Sequence, residues 1–196
     1  MRDNEYHKIS MQKPVYPHLV FCIEQLTFSA DRIAIDMGCG SGRDTEYLLD
    51  NGFEVHAFDS NEQVISDLSK RFQIRLGRDL FLHVSKFSEF IYPKCVLINA
   101  CSSLFFCEPR NFLNVWNSVK CALIPGGVFC GHFMGPEDSW AKQSHDRFTV
   151  HRRDEMIGLF SDFDIIDIYE INTPGTTLLG MQKHWHTFSV VAKKHV

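Results

Sequence analysis

The chain has no C-x-x-C pair, no low-complexity segment, no internal repeat, no apolar run of membrane-spanning length and no excess of basic residues. Each absence removes a class of function. Seven cysteines, Cys22, Cys39, Cys95, Cys101, Cys107, Cys121 and Cys130, are odd in number and scattered. They read as reduced, mostly buried thiols rather than a zinc site or a disulfide framework. The opening residues, Met1 to His7, lack the apolar core of a signal peptide, so the expected location is cytoplasmic, with no membrane partner. A formal charge of −4, from 20 Lys+Arg against 24 Asp+Glu, gives no overall basic field of the kind that favours nucleic acid. The basic pairs Lys70-Arg71, Arg152-Arg153 and Lys193-Lys194 lie far apart, as solvated surface does. No nucleic-acid partner is expected. At 196 residues and 44% hydrophobic content, the chain can bury one sizeable core, which makes a single domain the default.

What the sequence does contain is concentrated in Ile35-Asp-Met-Gly-Cys-Gly-Ser-Gly-Arg-Asp44. The run Arg32 to Asp36 is too short and apolar for a surface helix and suits a buried parallel strand. Gly38 and Gly40 permit a sharp turn and bring bare backbone against a ligand where a Cβ would collide. Arg43 to Asn51 then reads as a helix that stops at Gly52. A second apolar run, Phe53 to Phe58, ends at Asp59. Strand, glycine turn, helix, strand and acid form the βαβ unit that holds an adenosine ribose through a carboxylate. A dinucleotide site usually spaces its glycines GxGxxG, but the third position of that pattern here holds Arg43.

The remaining pattern alternates strands and helices, an α/β organisation. A segment from about Val15 to Phe28 is expected to be a helix covering the sheet or lidding the ligand. Asn61 to Phe72 places Val64, Ile65, Leu68 and Phe72 on one helical face. Leu80 to Val84 and Cys95 to Ala100 read as the third and fourth strands. Pro109 suits a helix start, followed by the stripe Phe112, Val115, Trp116 and Val119. Pro125-Gly126-Gly127 turns into a fifth strand, Val128 to Phe133. After a helix from Asp154 to Phe160, two extended runs, Phe163 to Ile171 and Trp185 to Lys193, are joined by a connection from Asn172 to His184.

Asp36-x-Gly38-x-Gly40-x-Gly42 resembles motif I of the class I S-adenosylmethionine-dependent methyltransferases. Leu123-Ile-Pro-Gly-Gly127 resembles the L-x-P-G-G turn of that family, and Trp185 to Lys193 its closing strand. The resemblance extends from about Arg32 to Lys193 and, among small members, is greatest to the tellurite-resistance-type methyltransferases. It implies a three-layer Rossmann-like sandwich, with a seven-stranded, mostly parallel sheet and an antiparallel last strand. It divides the chain into an N-terminal covering segment, residues 1–31, and a cofactor-binding domain, residues 32–196. The implied cofactor is S-adenosylmethionine. Asp36, Gly38, Cys39 and Gly40 would lie at its methionine part and Asp59 and Ser60 at its ribose. Lys86, Phe87 and Ser88 would lie near the adenine, and Asn99 and Ala100 by the methionine end. Two departures stand out. The acid common after the third strand is absent from Ser85-Lys86-Phe87, which leaves the adenine to backbone groups or another side chain. The acid that often opens the fourth strand is also missing around Lys94-Cys95.

Methyl transfer asks little covalent chemistry of a protein, because the sulfonium already carries an activated methyl group. The site must orient the acceptor and exclude water, and needs a base only for a protonated acceptor. No catalytic residue is therefore assigned. Lys183-His-Trp-His186 is expected on the cofactor edge of the sheet. Candidate acceptor-site residues are His132, Trp140, His184, Trp185 and His186. Each has a packing alternative: His184 and His186 share strand parity with Phe188, Val190 and Ala192, His132 lies between Gly131 and Phe133, and either tryptophan could be core. The two histidines lack a third ligand, so no metal is expected. Cys39 reads as a small filler rather than a nucleophile. Three readings remain: a small-molecule methyltransferase, one acting on a protein or other macromolecule, and a module that binds the cofactor without turnover. The oligomeric state is left open.

Overall fold

The computed structural model describes residues 2–26, 32–144 and 146–196. It opens with helices α1 (Arg2–Met11) and α2 (Pro17–Glu24), followed by β1 (Ile33–Met37), α3 (Arg43–Asp50), β2 (Glu54–Asp59), α4 (Glu62–Arg71), β3 (Leu80–Val84) and β4 (Cys95–Ala100). A 3-10 turn, Leu104–Phe106, leads to α5 (Pro109–Ala122), β5 (Leu123–Met134), α6 (Ser139–Gln143), α7 (Arg153–Gly158), β6 (Phe163–Thr176) and β7 (Gln182–Lys194). The seven strands form one sheet in the order β3-β2-β1-β4-β5-β7-β6. All neighbours pair in parallel except those involving β7, which runs antiparallel to both β5 and β6. Among the described residues no helix is long and apolar enough to cross a membrane.

The strands at the centre of this sheet are apolar because both of their faces are covered. Every residue of β4 is buried. On one face Val55, Leu97, Val128 and Val191 pack with Leu48 of α3, Leu68 of α4, and Leu19 and Cys22 of α2. On the other face Ile98, Phe129, Phe188 and Val190 pack with Phe112, Trp116 and Val119 of α5 and Met156 of α7. The helical stripes read from the sequence meet the sheet here. In α4, the Asn61 side chain accepts the Gln63 backbone N–H at 3.0 Å, which caps the helix that follows the second strand.

Three segments differ from the expected pattern. The N-terminal segment forms two short helices instead of one from Val15 to Phe28; Pro17 starts α2 and Phe28 lies outside the described residues. The fifth strand begins at Leu123, since Leu123 already pairs with Cys95 before the Pro-Gly-Gly turn. The connection expected over Asn172 to His184 is largely strand: Asn172 to Thr176 pairs in register with Gln182 to His186. Pro174 is accommodated because β6 is an edge strand, where its missing N–H leaves no ladder bond unmade.

Candidate active site

The glycine turn leaves β1 with Gly38, Gly40 and Gly42 at φ of +68°, +49° and +73°, the left-handed region that disfavours a side chain. A Cβ on Gly38 would meet the Ser103 Cβ at 2.7 Å, and one on Gly42 would meet Leu68 Cδ2 at 2.5 Å. The turn is pinned from below. The Cys39 N–H donates to the Phe58 carbonyl at 3.0 Å. The Thr45 hydroxyl and the Asn99 amide donate to the two oxygens of Asp36, at 2.5 and 2.9 Å. Burial, with Asp44 nearby, pushes the Asp36 carboxyl up to about 7. Asp59, at the end of β2, accepts the Gly40 N–H on Oδ2 at 3.1 Å and the Asn61 N–H on Oδ1 at 2.9 Å. Each oxygen retains a lone pair for a ligand hydroxyl.

A cleft of about 1500 Å³ opens above this turn. Asp36, Gly38, Cys39, Gly40, Asp59 and Ser60 line it, as do Lys86, Phe87 and Ser88 after β3. Asn99 and Ala100 do not: both are buried in the sheet, and Asn99 acts one layer back by holding Asp36. The reason is the pleat, which directs these residues of β4 into packed layers rather than toward the edge. The residues beyond it, Cys101, Ser102 and Ser103, reach the cleft instead. Burial, together with Asp36 and Asp59, pushes the Cys39 thiol pKa well up, which disfavours a thiolate.

The opposite half of the cleft is assembled from distant segments. His132 of β5 is buried, and its Nδ1 accepts the Ser102 backbone N–H at 2.9 Å, so the ring carries its proton on Nε2. Burial, and next the charges of His18 and Arg43, push its pKa well below the usual histidine value. The Ser102 hydroxyl lies 2.9 Å from the same Nδ1 and 2.7 Å from the Tyr16 hydroxyl. Because Nδ1 can only accept, Ser102 donates to it and Tyr16 donates to Ser102. Ser102 has φ of +55°, a strained conformation held at the mouth of β4. His18 of α2 stacks with Tyr16 and packs against His132, at centroid distances of 5.3 and 4.5 Å. The Arg43 guanidinium lies 4.4 Å from the Tyr16 ring centroid and ion-pairs with Asp44.

Trp140 and Trp185 line the far end, with ring centroids 6.0 Å apart. Between them sits the Lys183 ammonium, 4.2 and 4.4 Å from the two centroids and ion-paired with Asp138. Lys183 and Asp138 side chains are 1% and 0% exposed, so this pair belongs to the wall behind the aromatics. His184 and His186 do not reach the cleft. His186 is buried, accepting the Glu137 N–H on Nδ1 at 3.0 Å and facing Glu170 across 3.1 Å, while His184 meets Asn172 at 2.7 Å. Strand alternation separates them from Trp185, Thr187 and Ser189, which face the cleft. Tyr16, His18 and Ser102 carry no sequence signature of their own; only folding places them beside His132. Among the described residues, no three His, Cys, Asp or Glu side chains gather to hold a metal.

The residues fit S-adenosylmethionine. The glycine turn leaves open backbone where a Cβ would collide, and Asp59 offers free carboxylate lone pairs. Ser103 Oγ, which lines the cleft beside Gly38, is buried without a hydrogen-bond partner. A ligand polar group would satisfy it. Helix α1 covers this end: Ser41 donates to Ser10 at 3.3 Å, and a Cβ on Gly40 would lie 3.6 Å from His7.

Comparison with known proteins agrees. The family model described as Tellurite resistance protein TehB matches residues 3–128, more than half of the chain. No curated protein matches. Among solved structures, TehB from Haemophilus influenzae is 16% identical with a TM-score of 0.71, over 92% of this chain; this chain spans only 62% of that one. The N-methyltransferase NodS from Bradyrhizobium japonicum WM9 is 12% identical with a TM-score of 0.68, over the whole of both chains. A Burkholderia thailandensis 1,6-didemethyltoxoflavin-N1-methyltransferase, solved with its acceptor and S-adenosylhomocysteine, is 19% identical with a TM-score of 0.62, over 85% of this chain and 72% of that one. At such identities these likenesses show the fold. Together with the family match and the glycine turn, they identify the chain as a member of the TehB family and a class I methyltransferase that uses S-adenosylmethionine.

Proposed function

We propose that the acceptor is a small molecule, bound over β4, β5 and β7 beside the cofactor. The observation that carries this is the form of the cleft. Small-ligand pockets usually occupy roughly 300–1000 Å³, and at about 1500 Å³ this cleft has room for the cofactor and a compact second ligand. It is covered by residues of α1 and α2, with Met181 and Trp185 of the β6–β7 hairpin on its wall. Residues 1–31 act in this reading as a covering segment and residues 32–196 as the cofactor-binding domain. The formal charge of −4 supports an acceptor other than nucleic acid, and seven free thiols support a reducing, cytosolic compartment.

In this arrangement the cofactor-binding set is Asp36, Gly38, Cys39, Gly40, Asp59 and Ser60, with Lys86, Phe87 and Ser88 toward the adenine. His132, Trp140 and Trp185 face the acceptor. S-adenosylmethionine supplies an activated methyl group on a good leaving group. The protein holds the turn open, orients the acceptor and excludes water beneath its N-terminal helices. The acceptor of the Burkholderia thailandensis neighbour is itself a small molecule.

Calorimetric titration with S-adenosylmethionine, S-adenosylhomocysteine and NAD, repeated on Asp59→Ala, tests the cofactor end. Binding of the first two and its loss in the variant is the expected result. Release of S-adenosylhomocysteine with a panel of small acceptors then tests the acceptor class. Methylation of proteins in an extract with no small acceptor used would favour a macromolecular substrate, and affinity without any transfer a binding module.

A further inference from the structure

We propose that His18 is the general base for an acceptor that arrives protonated, a hydroxyl or ring N–H on an aromatic body, and that His132 positions it through Nε2–H. This rests on the small-acceptor reading above and specifies its chemistry. Both rings line the cleft, and they have opposite hydrogen-bonding character. His132 has Nδ1 occupied by Ser102, so toward a ligand it can only donate. His18 can take the reverse arrangement. Its Nε2 lies 3.0 Å from Cys101 Sγ, and a proton on Nε2 would point at the sulfur lone pairs. Deeper in the sheet the Cys130 thiol donates to Asn99 Oδ1 at 3.5 Å, and Asn99 donates to Asp36. In the proposed arrangement the His18 proton sits on Nε2, toward the sulfur, and the lone pair on Nδ1. That atom has no hydrogen-bond partner among the described residues and is not sealed in the interior. In that arrangement a donor and an acceptor nitrogen stand side by side, with ring centroids 4.5 Å apart.

The surroundings suit a neutral base. The charged and titratable groups facing His18 are Tyr16 on its own segment, Arg43 and Asp44 of α3, Cys101 after β4, Cys130 and His132 of β5, and Asp167 of β6. Burial lowers the His18 pKa most, which favours the neutral ring, while Cys130, then Asp44 and Asp167, push the other way and would favour the imidazolium once formed. The aromatic body is inferred from the wall beyond: Trp140 and Trp185 line the cleft, as do Phe106 and Tyr169, which are 46% and 63% exposed. Transfer replaces the methyl–sulfur bond by a bond from the acceptor atom to the same carbon. The electron pair of the broken bond stays on sulfur, and the acceptor proton passes to His18 Nδ1, which returns it to water after product release.

The test uses the full chain, with phenol, 4-nitrophenol and benzimidazole as probes. S-adenosylhomocysteine is titrated first; failure there would defeat the cofactor reading, not this one. On the loaded protein, 4-nitrophenol is expected to quench tryptophan fluorescence, and Trp185→Leu to weaken that binding. With S-adenosylmethionine, wild-type kcat/KM toward phenol should fall tenfold per pH unit below the His18 pKa. His18→Asn should lose about 10²–10⁴-fold at pH 7 while binding S-adenosylhomocysteine normally, and should lose far less with 4-nitrophenol above that phenol's own pKa. His132→Gln should act mainly on KM. If His18→Asn does not fold, proton-resolved NMR of the wild-type imidazoles must show His18 neutral at pH 7 with its proton on Nε2. An unchanged pH profile in a folded His18→Asn, the opposite tautomer, or no transfer to any of the three probes would overturn the proposal.

Discussion

The glycine-turn end of the cleft takes Asp36, Gly38, Gly40 and Asp59 from one continuous βαβ unit, whereas the opposite end collects His18, Ser102, His132, Trp140 and Trp185 from five separate parts of the chain. The first end works mainly through backbone: left-handed glycines, N–H groups and one carboxylate at a strand terminus. The second works through side chains held by buried polar contacts, namely Lys183 with Asp138 and Ser102 with His132. A backbone site tolerates changes of neighbouring side chains but not an added Cβ. A side-chain site can be rebuilt for a new ligand without disturbing the turn.

The largest expected effect lies at the second end. Lys183→Met strands a buried Asp138 carboxylate, and breaking such a pair costs about 3–5 kcal/mol. Urea unfolding measures it, and Asp138→Asn combined with Lys183→Met should recover part of the loss. Affinity of the folded protein for S-adenosylhomocysteine should barely change; a collapse there would break the separation between the two ends.

Next comes Gly38→Ala. Forcing a Cβ into a left-handed residue costs about 1–2 kcal/mol, and this one also meets Ser103 at 2.7 Å. At least a tenfold loss of S-adenosylhomocysteine affinity by calorimetry is expected, about 1.4 kcal/mol or more. Normal affinity in this variant would show that the turn does not closely approach the ligand.

A smaller effect concerns pH. The folded protein holds the Asp36 proton up to about pH 7, whereas the unfolded chain releases it near pH 3.9. Asp36 therefore opposes folding progressively as pH rises between those values. Thermal melts should show this slope reduced in Asp36→Asn relative to wild type; parallel slopes would contradict a protonated Asp36. The smallest change is expected from His184→Gln, outside the cleft: within about 0.5 kcal/mol in stability and no change in cofactor affinity. A marked affinity loss would return His184 to the site.

The uneven legibility of the two ends has a physical cause. Short-range requirements leave a mark in the sequence: a glycine where φ must be positive, an acid where a strand ends, and an apolar stripe at helical period. Thus β1 to β4 and the face of α4 could be read closely, and Asp59 was placed by its interval from the turn. Long β6 and β7 were underestimated because their ends are stabilised by pairing with each other, which overrides the local breaking tendency of Pro174 and Gly175.

By itself the sequence determined the α/β class, the glycine turn with the acid that ends the next strand, and the kinship to methyltransferases, because each is written in near-contiguous residues. Only the tertiary structure decided that Asn99 supports Asp36 from behind, that Trp185 faces the cleft while His184 and His186 do not, and that His18 lies against His132. Those outcomes depend on strand order, pleat direction and the packing of α2 on β5 and β7, which are set by contacts between residues far apart in the chain.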